Sequence, residues 1–174
     1  ELYEKELTYF AELSSSDGSV QGIVNITKDR MESYLTTSDM AISGTGDTYR
    51  QMIENLAYCA VDASYGEEIR RTLDRDAVMA GYAAGKSDYH FEFLRKRSKG
   101  GVFWANTSFR CCLRPDTGDI IGFFYTLDVT EQKLQEQLLS QIAKLEYDNI
   151  TEVNLKKGTY HIFSRQDAEG NQLP

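Results

Sequence analysis

Apolar and β-branched residues crowd into three closely spaced runs, Asp88–Lys96, Val102–Leu113 and Ile120–Val129. The runs are separated by Ser98-Lys99-Gly100-Gly101 and by Pro115-Asp116-Thr117-Gly118-Asp119. Polar, glycine-bearing turns between such runs are hairpin signals, so the segment predicts an antiparallel meander. Its last run is apolar on both alternating faces, with Ile121, Phe123, Tyr125 and Leu127 on one and Ile120 and Phe124 on the other. A strand apolar on both sides belongs inside a sheet whose two faces are covered.

The rest of the chain divides by period. Tyr3, Leu7, Phe10 and Leu13 recur at helical spacing and predict a helix over Glu1–Leu13, stopped by Ser14-Ser15-Ser16-Asp17-Gly18. Val20–Thr27 and Arg30–Thr36 predict a hairpin around Lys28-Asp29, and Thr37–Asp47 reads as irregular. Asp47 or Thr48 suits the cap of a helix running through Ala60, with Tyr49, Met52, Ile53 and Leu56 inward. A longer helical pattern begins near Glu67, carries Ile69, Leu73, Ala77 and Ala80, and stops at Gly85, with a possible split near Asp74–Asp76. Asp128 and Glu131 fit a capping box, so the last strand passes into a helix over about Val129–Leu145. Leu134, Leu138, Ile142 and Leu145 form a stripe on it that suits either packing on the domain or a dimer seam.

A repeat search adds a second hairpin. Val24-Asn25-Ile26-Thr27-Lys28-Asp29 resembles Val153-Asn154-Leu155-Lys156-Lys157-Gly158 at an offset of 129, and the same offset aligns Tyr9, Phe10 and Leu13 with Leu138, Leu139 and Ile142. The chain therefore reads as a flanking helix (1–18), a domain (19–129), an exit helix (130–146) and the opening of a truncated second unit (147–174). Chance likeness between two hairpins is the alternative.

Composition narrows the classes. Apolar residues make up 41% and the net charge is −8, which suits a folded core and argues against free nucleic acid as a partner. No run is long enough to span a membrane and no secretory leader is evident, so a cytoplasmic protein without direct membrane contact is expected. Cys59, Cys111 and Cys112 are odd in number, and the adjacent pair on one strand faces opposite ways. They read as packing thiols and make no disulfide framework.

With these elements in place, Tyr65–Gln132 resembles a PAS domain. The likeness lies in the long helical pattern, the third strand ending in basic residues, the Lys99-Gly100-Gly101 hairpin before Trp104, and the closing Asp128-Val129-Thr130-Glu131 signature. The style resembles bacterial PAS arrays that precede diguanylate cyclase or phosphodiesterase domains, with histidine kinases the next most similar setting. The resemblance implies an α+β fold, a five-stranded antiparallel sheet of order 2-1-5-4-3 with helices over one face. It also implies that Asp128, Thr130 and Glu131 form a signal-relay junction between sheet and exit helix. The opposite sheet face is expected beneath the N-terminal helix or a partner subunit.

Candidate chemistry is sparse. His90 and His161 have no partner at metal-ligand spacing, so no metal site is expected. The helix histidine of haem-binding relatives is absent, and Leu56-Ala57-Tyr58-Cys59-Ala60 lacks the rest of the flavin-adduct motif. Ser43-Gly44-Thr45-Gly46 has no following Lys-Ser/Thr, and no nucleophile elbow or cyclase signature occurs, so no catalytic residue is assigned. No cofactor is predicted; the interior between sheet and helices reads either as a filled core or as a pocket for an unknown small molecule, with Phe91, Phe93, Trp104, Phe123 and Tyr125 as pocket candidates by position alone. The expectation is a non-enzymatic sensory module that homodimerises and signals to a downstream output domain. A ligand-free interaction or spacer domain is the alternative.

Overall fold

Strand β5 (Ile120–Asp128) lies between β1 (Ser19–Asn25) and β4 (Val102–Leu113) and pairs antiparallel with both. β2 (Arg30–Thr36) flanks β1 and β3 (Asp88–Lys96) flanks β4, so the order is β2-β1-β5-β4-β3. This is the α+β architecture and the order that the resemblance implies. The computed structural model describes residues 1–13, 19–36, 46–143, 149–155 and 159–164. Within these, the chain forms two units, Glu1–Val129 and Thr130–Pro174.

In the first unit the sheet is covered on both faces. Its inner face packs under α2 (Tyr49–Cys59), α3 (Ala63–Thr72) and α4 (Arg75–Ala83), burying Tyr49, Met52, Ile69, Leu73 and Val78 against Phe93, Phe103, Phe109 and Phe124. The long helical pattern is two helices. α3 starts earlier than the sequence predicts, because the Asp62 carboxylate accepts Ser64 N at 2.8 Å. The chain breaks at Leu73, and Asp74 caps α4 by accepting Asp76 N and Ala77 N. Gly85 at φ +89° ends the segment.

The outer face is covered by α1 (Leu2–Leu13), whose Phe10 and Tyr3 pack on Ile23, Cys112, Ile121, Phe123 and Tyr125. Two arginines bind the helix down. Arg110 donates to Glu6 Oε1 at 2.6 Å, and Arg114 donates to Tyr3 Oη at 3.2 Å while pairing through both terminal nitrogens with Glu32. Glu6 is 5% exposed and Leu7 is 37% exposed, so the buried stripe is not purely apolar. Cys111 points into the inner core and Cys112 into the outer cluster, as alternation requires. Burial pushes their thiols up, to about 12 and about 11.

The β1–β2 turn is tied to the β4–β5 turn. The fully buried Asn25 donates to Asp119 Oδ2 at 3.0 Å and accepts Lys28 N at 2.9 Å, while Lys28 Nζ lies 2.7 Å from Asp119. Hydrogen bonds from Lys28 and then Asn25 hold the Asp119 carboxyl down at about 2. An unfolded aspartate titrates near about 3.9. The folded chain therefore binds this proton less readily, and the contribution is complete above that value and lost as pH falls through about 2. In urea titrations below about pH 4 the stability of the wild-type chain should decline, and Asp119→Asn should flatten part of that slope. An unchanged slope in the variant would remove Asp119 as its source.

The second unit comprises α5 (Thr130–Ala143) and a hairpin of β6 (Asn149–Asn154) and β7 (Thr159–Ser164). Asn154 pairs with Thr159 as Asn25 pairs with Arg30, 129 residues earlier. α1 and α5 fall at nearly the same offset.

Candidate functional site

Alternation along β3 turns Tyr89, Phe91, Phe93 and Arg95 to the inner face, and all four are buried. The cross-strand pairs Phe91–Thr107, Phe93–Ala105 and Phe109–Phe124 share that face. Trp104 sits opposite Leu94 on the outer face, with Phe123 and Tyr125 beneath α1. The five pocket candidates are thus divided by the sheet, with Phe91 and Phe93 on the helix side and the other three behind it. They cannot line one cavity, because a period of two sends residues of opposite parity on β4 and β5 to opposite faces.

Among the described residues, a cavity of about 10 Å³ lies between sheet and helices, lined by Val20, Met52, Leu56, Leu73, Thr107, Phe109, Phe124 and Thr126. That is room for about one water, and the Thr107 and Thr126 hydroxyls, 2.9 Å apart, satisfy each other there. Two glycines explain the filling. A Cβ on Gly122 would lie 2.4 Å from Phe109 Cζ, and one on Gly22 would lie 2.3 Å from Phe124 Cε1. Each ring therefore rests on strand backbone at a position where any other residue would displace it.

Solved structures with a similar arrangement include a PAS domain from Colwellia psychrerythraea (TM-score 0.46, 10% identity, covering 72% of this chain and 98% of that one). The PAS domain of BvgS from Bordetella pertussis gives 0.43 at 15% identity, over 80% of this chain and 98% of that one. An RNA-binding light-oxygen-voltage receptor gives 0.46 at 18% identity, over 80% of this chain and 37% of the receptor. No protein-family model and no curated protein matches the sequence.

At the end of β5, Asp128 lies opposite Ala105, and its carboxylate accepts a hydrogen bond from Arg97 Nη2. The Arg97 guanidinium lies 4.6 Å over the Phe103 ring, and Val129 N donates to Trp104 O at 2.9 Å. The ladder thus reaches Val129, and α5 begins at Thr130, one residue later than the sequence predicts. Glu131 is exposed in the first turn, where a carboxylate suits the helix dipole. Leu134 and Leu138 are 59% and 57% exposed and Ile142 is half-buried, while Leu145 lies outside the described residues.

Two inward side chains carry polar atoms into the core, Arg95 from β3 and Tyr49 from α2. Arg95 is fully buried, with its guanidinium 5.6 Å over Phe103 and burial holding it below its ordinary value. Tyr49 donates to Leu73 O at 2.6 Å, and burial raises its hydroxyl well above the usual phenol range. His90 is exposed on the outer face, its Nδ1 3.2 Å from Ser108 Oγ. His161 falls on β7, and its side chain lies outside the described set. Among the described residues no three His, Cys, Asp or Glu side chains converge on a metal-sized site, and no helix is long and apolar enough to cross a membrane.

Proposed function

We propose that the chain is a sensory or regulatory PAS module that dimerises and relays a signal from its sheet into α5. The observation that carries this reading is the course of β5. It is the middle rung of the sheet, and a single residue after Asp128 the chain enters a helix exposing Leu134 and Leu138. Leucines at i and i+4 lie on one face of a helix, where a second helix would pack on them. Asp128, held by Arg97, and Thr130 and Glu131 are the junction through which a change in the sheet reaches the helix. The output is a domain downstream in a cytoplasmic signalling protein, of the diguanylate cyclase, phosphodiesterase or histidine kinase class. The module itself has no catalytic role, binds no nucleic acid and makes no direct membrane contact.

A second reading, a ligand-free spacer, is favoured by the cavity of only about 10 Å³ between Phe109 and Phe124 among the described residues. Sedimentation at high micromolar concentration tests the first: a dimer is expected, and Leu138→Asp with Ile142→Asp should convert it to monomer. A wild-type chain that stays monomeric overturns relay through a paired helix. Native mass spectrometry of freshly purified protein separates the two readings, since reproducible retention of one small molecule is expected only of a sensor.

A further inference from the structure

The outer sheet face is apolar where β1, β5 and the end of β4 meet α1, through Ile23, Ile121, Phe123 and Cys112. Toward the β3 edge it turns polar. Asp88 faces Arg110 across the strands and His90 faces Ser108, with Asn106 next along β4. Together with Glu6 and Tyr9 of α1, Tyr125 and Leu127, these residues line a groove of about 380 Å³. That volume falls among those of small-molecule sites, whereas the cavity beside Phe109 and Phe124 among the described residues holds about 10 Å³.

The charges in the groove give the sign of its guest. Arg110 is shared between Glu6, at 2.6 Å from Nη1, and Asp88, which takes Nε. One guanidinium between two carboxylates leaves surplus negative charge, on a chain whose net charge is −8. An anion would meet that surplus. An ammonium would find the Asp88 carboxylate, 57% exposed and already accepting Ser87 Oγ at 2.6 Å and Arg110 Nε, beside Ser108, whose Oγ lies 3.2 Å from His90 Nδ1, and the lining residue Asn106. Tyr9, 47% exposed and edge-on to Tyr125 at 5.1 Å, offers a ring face to a cation or to a flat arm, and Leu127 supplies an apolar end.

We propose that this groove between α1 and β3–β4 binds a small organic cation, an ammonium carried on a flat apolar body. The site is separate from the interior and does not depend on relay through α5. A monomeric chain that binds the probe keeps this inference, and a dimeric chain that does not bind it loses this inference alone.

Tyramine is a suitable probe, with 3-(4-hydroxyphenyl)propionate and the neutral alcohol tyrosol as isosteric controls. Titrated into the ¹⁵N-labelled chain at pH 8, tyramine should produce saturable amide shifts at Asp88–His90 and Asn106–Arg110. Asp88→Asn should weaken binding about fivefold, the scale of a half-exposed charge pair, while leaving the rest of the spectrum in place. Asn106→Leu, which leaves every charge intact, should weaken it as well. Absence of saturable shifts at millimolar tyramine, equal binding of the propionate, or shifts confined to interior residues such as Val20 and Met52 would each overturn the proposal.

Discussion

Phe109→Ala should lower the unfolding free energy by about 3–5 kcal/mol, the range for deleting a phenyl ring from a packed core. The ring is 1% exposed, stands 6.0 Å from Tyr49 and 6.1 Å from Tyr89, and covers Gly122. Collapse around the gap is restricted, because the flanking cross-strand partner is Phe124, itself seated on Gly22. The cavity of about 10 Å³ should therefore grow to hold a small aromatic molecule. Urea denaturation gives the cost, and benzene or indole should raise the melting temperature of the variant while leaving the wild type unmoved. A cost below about 1 kcal/mol, the scale of a volume-conserving core swap, would show that the ring does not fill the interior.

That filled interior is the part of the domain that sequence patterning could not resolve. The strands and the central place of β5 were legible because periodicity needs only the identity of successive residues, whereas the strand order was what the resemblance to PAS domains implied. Ile120–Asp128 is apolar on both faces, and both are covered. The same alternation was enough to separate Phe91 and Phe93 from Phe123 and Tyr125 once the pairing of β4 with β5 was known. Which face meets the helices depends on the register between strands, and that is set by long-range packing. Arg95 illustrates the limit: its parity matches Phe93, yet a charged side chain at a strand end reads as solvated. Glu6 is the converse case on α1, one position from Leu7 and buried because Arg110 and the Tyr125 hydroxyl meet its carboxylate. The split between α3 and α4 was marked in advance by Asp74, whose side chain suits a cap better than a helix interior.

The two rings on two glycines connect the interior to the element that leaves the domain. β5 carries Gly122 and Phe124, so its inner face both supports Phe109 and supplies the ring that presses on β1. A molecule enlarging the cavity from the side of these rings would lift one of them off strand backbone, Phe109 off Gly122 or Phe124 off Gly22. On the proposed reading, an interior change thus acts on β5 before any other strand.

Gly122→Ala tests this arrangement directly. A methyl there would lie 2.4 Å from Phe109 Cζ, 2.8 Å from Phe109 Cε2 and 2.9 Å from Val24 Cγ2. In open space, alanine should stabilise a strand relative to glycine, by up to about 1 kcal/mol. Here the ring has no exposed side toward which to move, and overpacking of this kind costs about 1–3 kcal/mol. The net expectation is a loss of about 1–2 kcal/mol, read from urea titrations. The decisive measurement is the double variant. With Phe109 already alanine, the new methyl enters vacated space, so Phe109→Ala with Gly122→Ala should be more stable than the sum of the single losses by about 1–2 kcal/mol, as for residues in contact. Strict additivity would mean that ring and glycine do not touch in solution, and the mechanical link between the interior and β5 would go with it.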